Sequence, residues 1–372
     1  MKPKLVLCGE AWGEQEQKIG ASFCGASGIE LLRMLDESGI ITLTSADFDY
    51  INKYYRATGA DGPLFIDMIW RLHPELHRTN VFMRHPPGNR LERFCGSRAE
   101  GIKGYPSLIK GKSRGYVRQE FIPELERLGD ELERLNANLV VCFGNTALWA
   151  LCGTTGVSKL RGTTSLSTHT ITGVKCLAAY HPAAVLRQWE LRPVTVLDLM
   201  KAKREAEYPE IRRPKREIWI EPSLADIERF INEHIQGCKI LSVDIETSGN
   251  RITCIGFSPR PNLAIVIPFD DGRRKDHNYW GSKDAECAAW GLIRNVLESP
   301  SIPKLFQNGM YDIAFIWRST GIKVYGASED SMLCHHALQP EALKGLAFLG
   351  SVYGNEGAWK SQRKSDTIKT DA

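Results

Sequence analysis

The sequence predicts an α/β protein followed by a smaller α+β unit, and three observations carry that prediction. Strand-like apolar runs alternate with helical ones through the N-terminal half. A charged, proline-containing stretch, Lys201–Glu217, then breaks the rhythm. Beyond it, three strand candidates follow in close succession. Alternation of strand and helix builds a parallel sheet covered on both faces, whereas strands joined by short turns pair antiparallel.

The elements follow in order. Met1–Cys8 begins with basic and apolar residues. Its apolar run is too short for a secretory signal, and Leu7 stands where a small residue would precede a lipidated cysteine, so Lys4–Cys8 reads as the first strand. A glycine-rich turn leads to a helical stretch at Gly28–Ser38. Asn138–Phe143 feeds a helix from Thr146, and Val174–Tyr180 feeds His181-Pro182 and another helix, with proline at its first position. After the charged stretch, Lys239–Ile245, Arg251–Phe257 and Leu263–Phe269 are strands joined by turns at Gly249-Asn250 and Pro259–Asn262. Helical patterns close the unit at Lys283–Leu297, Tyr311–Thr320 and Glu329–Leu338.

The chain's 372 residues suit two domains, and 42% apolar with 25% charged residues excludes a collagen, a coiled-coil rod or a mostly disordered chain. No apolar run reaches the ~18–20 residues that span a bilayer, so no membrane partner is expected. The ten cysteines form no C-x-x-C pair and several lie in strand-like runs, the usage of buried thiols in a reducing, cytoplasmic setting. Net charge is only +4, yet Arg84–Arg118 holds nine Lys/Arg against Glu92 and Glu100. That stretch is either a solvated surface or a rim that contacts phosphate.

The residues suited to chemistry fall at the expected carboxyl ends of strands, where ligands of such sheets sit. In Gly9-Glu10-Ala11-Trp12-Gly13 a carboxylate follows a glycine that lets backbone approach a ligand. Phe23, among small residues in Gly20–Gly28, is placed as a stacking platform. Asn80, leaving an apolar strand in Thr79–Arg90, offers both a donor and an acceptor for an amide-like edge. His181 ends a strand in Ala178–Arg187.

The succession GEAWGEQE…FCGASG, NVFMRHPPGNR, VVCFGNTA…LRGT and HPAAVLR resembles the uracil-DNA glycosylase superfamily, in particular its family 4 branch and phage relatives, over residues 1–206. The resemblance implies a flipped base in a pocket. His181 would donate to the departing base and Glu10 would position water and favour the cationic sugar; these are the catalytic pair. Phe23 and Asn80 would bind the base. Val185 would wedge into the minor groove, with Arg187 and Arg90 on DNA. Two departures stand out. Family 4 members hold an iron–sulfur cluster on four cysteines, but here His85 replaces the third, only Cys95 matches the fourth, and no C-x-x-C precedes the first strand. No iron–sulfur cluster is therefore expected. Trp12 also stands where the family has a small residue or proline, which alters the pocket wall.

In the second unit, Leu241–Thr247 places Asp244 and Glu246 on one face of an apolar strand, where period 2 aligns them and a cation would relieve their repulsion. With Asn308-x-x-Tyr311-Asp312 and Asp330-Ser331-Met332-Leu333, this pattern resembles the 3′–5′ proofreading exonuclease domain of family A DNA polymerases, which has an RNase H-like fold. The resemblance implies that Asp244, Glu246 and Asp312 hold Mg²⁺ or Mn²⁺, that Asn308 holds a 3′ end, and that Asp330 is structural. The likeness fades near Trp359-Lys360, before the last carboxylate motif, so this domain is expected to be incomplete and its trimming negligible alone.

The expected organisation is a glycosylase-like domain at 1–206, a linker at 207–217, a partial exonuclease domain at 218–360 and a polar tail at 361–372. The expected function is hydrolysis of the N-glycosidic bond of uracil or a related base in DNA. The alternative is a non-catalytic uracil-sensing module of a split phage polymerase, whose exonuclease is completed by a separate chain. Either reading makes DNA the ligand, the remaining part of a family A polymerase a partner, and the host cytoplasm the setting.

Overall fold

A computed structural model describes residues 3–57 and 61–354. The tail 361–372, with Asp366 and Asp371, lies outside the described residues. Two compact units divide between Arg212 and Arg213, and residues 350–354 group with the first.

The first unit contains β1 (Leu5–Ala11), β2 (Leu76–Phe82), β3 (Cys95–Gly96), β4 (Tyr116–Val117), β5 (Leu139–Phe143), β6 (Thr164–Thr168) and β7 (Thr172–Ala179). Five of them form one sheet in the order β2-β1-β5-β7-β6. The first four are parallel, as the strand–helix alternation requires, and β6 joins β7 antiparallel. The sequence does not announce β6: Thr-Ser-Leu-Ser-Thr has no apolar run, because an edge strand buries little. Strand alternation divides the core in two. Leu5 and Leu7 of β1 pack with the helices Ala26–Glu37, Asp61–Leu72 and Arg192–Glu205, while Val6 and Cys8 pack with Ile122–Leu135 and Gly144–Cys152. The chain leaves β1 for β2 on one side and later returns to β5 on the other. The carboxyl end of β1 is thus a switch point, where a crevice opens.

The second unit contains β8 (Glu217–Ile220), β9 (Leu241–Ser248), β10 (Arg251–Arg260), β11 (Leu263–Pro268), β12 (Lys304–Phe306) and β13 (Ala327–Asp330), ordered β13-β12-β9-β10-β11-β8. The meander β9-β10-β11 is antiparallel, whereas β12, β13 and β8 join it by parallel pairings. Leu241, Val243 and Ile245 point into the core, which leaves Ser242, Asp244 and Glu246 on the opposite face. Two elements differ from expectation. Glu217 begins a strand, and Glu329–Leu338 is not one helix: Glu329 and Asp330 end β13, and the helix is Ser331–Leu338. Asp330 starts it by accepting from Met332 N at 2.8 Å, an N-cap that helical periodicity does not reveal. No helix among the described residues is long and apolar enough to cross a membrane.

Candidate active site

The N-terminal site is built around Gly9. The β1–β2 register places Asn80 directly opposite it. A Cβ added to Gly9 would meet Phe23 Cζ at 2.7 Å and Asn80 Oδ1 at 2.9 Å, so glycine alone lets the ring and the amide close over the strand. Phe23 adopts a left-handed backbone, with φ of 54°, which is uncommon for a bulky residue and needs support. Glu16 supplies it by accepting from Phe23 N, and Trp70 Nε1 donates to Phe23 O at 2.9 Å. Burial raises the Glu16 pKa, against the backbone donors that favour its charge. The Trp12 indole donates to Ser22 Oγ at 3.0 Å and braces the turn that carries Phe23.

Asn80 is 2% exposed, and its Oδ1 has no hydrogen-bond partner among the described residues. A buried amide oxygen without a donor is costly. Its backbone, by contrast, is clamped. Arg127, on the helix Ile122–Leu135, donates to Asn80 O at 2.6 Å and to Val81 O at 3.2 Å, and is itself held by Glu131 at 2.6 Å.

His181 follows β7 and caps the helix Pro182–Arg187. Its Nδ1 accepts from Ala183 N at 3.1 Å, which in the neutral ring leaves the proton on Nε2 as a donor. Burial, aided by the positive charge of Arg187, pushes its pKa down to about 4. The imidazole lies 5.9 Å from the Phe23 ring with planes 28° apart. Glu10, at the carboxyl end of β1, accepts from Thr146 Oγ1 at 2.6 Å. Burial raises its pKa, while the Thr146 hydroxyl and the Arg187 charge oppose the rise. Beside it opens a cavity of about 300 Å³ lined by Thr146, Asn145, Leu91, Glu92 and Lys110, among others.

The structure therefore gathers Glu10, Phe23, Asn80 and His181 at one end of the sheet. Arg187 is exposed and near enough for its charge to act on both Glu10 and His181. Arg90 is exposed in the basic segment, where all nine cations except the half-buried Arg118 face solvent. Val185 is a correction. It is fully buried in the core, so it cannot enter a groove; the exposed apolar residue of that short helix is Leu186, 45% accessible. Thr146, Glu16 and Arg127 escape sequence reasoning. A polar residue in the first turn after β5 marks Thr146, but the other two act across the fold on backbone atoms.

In the second unit, Asp312 lies in the first turn of the helix Gly309–Thr320 and accepts from Ile245 N at 3.2 Å, beside Asp244. Burial, then the negative charge of Asp244, pushes its pKa up to about 6. That repulsion is what a cation would relieve, so the donor chemistry suits a hard divalent ion. Among the described residues, however, no three His, Cys, Asp or Glu side chains are drawn together as a ready metal group. Asn308 takes a left-handed conformation, φ 62°, at the helix start. Asp330 accepts from Asn308 N at 3.2 Å and Gly309 N at 2.7 Å, besides capping its own helix, which makes it a structural carboxylate.

The donor set for an iron–sulfur cluster does not fit. Cys95 is buried in β3, burial pushes its thiol up to about 11, and its Sγ points to Leu91 O at 3.8 Å. The rings of Phe82, Phe94 and Phe121 pack there instead, with centroids 4.3–5.5 Å apart. Purified protein is expected to lack the visible absorbance of such clusters; stoichiometric iron and sulfide after anaerobic preparation would contradict this.

The family described as the uracil DNA glycosylase superfamily matches residues 1–206, more than half of the chain. The chain belongs to this superfamily. A 3′–5′ exonuclease family matches residues 222–369, past Lys360, so a glycosylase-superfamily unit and an exonuclease-family unit are joined in one chain. The type-4 uracil-DNA glycosylase of Thermotoga maritima is 25% identical over 204 residues, covering 54% of this chain and 76% of that protein. Among solved structures, the EXD2 exonuclease domain soaked in Mg and GMP is 12% identical, with a TM-score of 0.26, covering 37% of this chain and 68% of its own. NrnC of Brucella melitensis is 17% identical, with a TM-score of 0.27, covering 39% and 63%.

Proposed function

We propose that the N-terminal unit of this superfamily member hydrolyses the N-glycosidic bond of uracil, or a closely related base, in DNA. The observation that carries the reading is the buried, unpartnered Oδ1 of Asn80 beside the Phe23 ring. An imide N–H of a flipped base would satisfy that oxygen, the Asn80 amide would donate to a base carbonyl, and Phe23 would stack on the base. As the bond breaks, charge builds on the base oxygen, and the Nε2–H of neutral His181 is the donor for it. Glu10 as carboxylate would orient water and favour the cationic sugar, with Thr146 fixing its rotamer. Arg187 and Arg90 would meet phosphates.

The experiment is direct: labelled oligonucleotides bearing U, hydroxymethyl-U or T are incubated with the protein, then cleaved by alkali at abasic sites. Cleavage at U is expected; none at any base would remove the proposal. Leu186, rather than Val185, is proposed to press on the duplex. Leu186→Ala should change stability by less than about 0.5 kcal/mol yet weaken duplex binding, whereas Val185→Ala should cost about 2 kcal/mol by opening the core. Urea melts and duplex titrations separate the two, and unchanged duplex affinity in Leu186→Ala would take this helix out of the interface.

For the second unit we propose action at a DNA 3′ end. Asp244 and Asp312, with Glu246, would hold Mg²⁺ or Mn²⁺, and Asn308 would steady the terminal nucleotide. Bound divalent ions supply water activation and leaving-group stabilisation in such sites. The likeness of this unit to polymerase proofreading domains makes the remaining part of a family A polymerase its proposed partner.

A further inference from the structure

The strand β2, which carries Asn80, is the outermost strand of its sheet. Three side chains of the helix Ile122–Leu135 reach it where a further strand would otherwise pair. Glu124, Arg127 and Glu131 recur at helical spacing and so share one face of that helix. Glu124 accepts from Met83 N at 3.1 Å. Glu131 accepts from Thr79 Oγ1 at 2.8 Å and meets His77 Nε2 at 2.7 Å. Arg127 stands between the two carboxylates, 2.6 Å from Glu131 and 3.5 Å from Glu124, and turns its Nη2 to the carbonyls of Asn80 and Val81. Burial works against charge on Glu131, but His77, Thr79 and Arg127 hold its pKa below the ordinary value, so the clamp is ionic at neutral pH. The grip thus runs from His77 to Met83, and at its middle is the residue whose amide lies over Gly9 beside Phe23. The amide has no comparable hold, since Asn80 Oδ1 lacks a partner among the described residues. Where that oxygen stands depends on the backbone that carries it, and Arg127 fixes that backbone.

We propose that Arg127, clamped between Glu124 and Glu131, is the positioning residue that sets the Asn80 amide for the edge of the bound base. The inference rests on the uracil reading of the site for its chemistry, though not for its geometry. A group that recognises a base by hydrogen bonds needs both a place and a direction. Arginine suits the task because its planar fork can bond a carboxylate on one side and carbonyls on another at a fixed angle. A lysine offers one compact head on a flexible stem. Without the fork, the carboxylates and carbonyls remain but the carboxyl end of β2 is free to shift. A displacement of about 1 Å at a reacting site costs on the order of 10²-fold in rate. Of the four residues gathered at the site, Arg127 bonds only Asn80, so its effect on excision passes through that residue.

The test is a double-mutant cycle on the full chain, read from single-turnover excision of uracil from a labelled oligonucleotide. Arg127→Lys, which keeps a cation between the carboxylates, should lower the rate by roughly 10–10² in the otherwise wild-type chain and by the same factor in His181→Gln. In Asn80→Ala, where no amide is left to position, it should cost less than about twofold. A general loosening of the fold would lower all three alike; that result, or wild-type turnover in Arg127→Lys, would overturn the assignment. A second readout needs no excision. The side-chain amide signals of Asn80 in a ¹⁵N-labelled chain, assigned by their loss in Asn80→Ala, should shift or broaden in Arg127→Lys. Unchanged signals would overturn the positioning role even in a chain that cleaves no base, whereas altered signals without excision would retire the uracil reading alone.

Discussion

Glu10→Gln and His181→Leu should each lower uracil excision by ~10²–10³, the usual loss when one preorganised electrostatic group is removed from a reacting site. Glu10→Gln preserves shape and can still accept from Thr146 Oγ1, so the loss would report charge. His181→Leu also removes the acceptor for Ala183 N, and circular dichroism must show that the fold survives. His181→Gln offers a second variant of that position. The pH profile separates the two roles. With its pKa pushed down to about 4, His181 stays neutral from about pH 5 upward. The acidic limb of activity should then belong to Glu10, whose pKa burial raises, and should vanish in Glu10→Gln but persist in His181→Gln. Because the folded pKa of His181 lies below that of the unfolded chain, its burial costs stability as pH falls from about 6.5 toward 4. A limb that disappears with His181 instead, or wild-type turnover in both variants, would sink the proposed pocket.

Much of this site is legible along the chain because its parts are local. The run Leu5–Cys8 announces a buried strand, His181-Pro182 announces a helix start, and each puts its functional residue at a strand end. What the chain hides depends on how those pieces meet. Val185 and Leu186 are adjacent apolar residues on a helix of six, and only its seating on the core decides which of them faces solvent. The unpartnered oxygen of Asn80 is a property of the closed fold. So is the grip of Arg127, which reaches Asn80 from 47 positions away. The strand β6 is hidden for a plainer reason: its Thr and Ser residues and one exposed Leu leave no apolar signature. Asp330 shows the opposite error of pattern reading, since helical periodicity extends back through Glu329 while the carboxylate itself sets the boundary.

Asp312→Asn should raise the thermal midpoint of the metal-free chain at pH 7.5 and abolish its response to Mn²⁺. In the folded unit, burial and the charge of Asp244 push the Asp312 pKa up to about 6, above the ordinary 3.8. The folded state thus holds this proton more tightly than the unfolded chain, so stability declines as pH climbs from about 4 to about 6 and stays lower above. Asparagine keeps an acceptor for Ile245 N and carries no charge, so the penalty disappears; after discounting for solvent screening the gain is of order 1–2 kcal/mol, a few degrees in midpoint. A divalent ion relieves the same repulsion in the wild type. At a hundredfold excess over its dissociation constant it would add about 2.7 kcal/mol, and that gain should fade below about pH 6, where protons compete for Asp312. Asp244→Asn should lose the metal response too. The two readouts have opposite signs, which makes the experiment decisive: asparagine stabilises without metal and destroys stabilisation by metal. A lower metal-free midpoint for Asp312→Asn at pH 7.5 would show that its carboxylate is not strained by Asp244, and an undiminished Mn²⁺ shift would move the ion away from this pair of carboxylates.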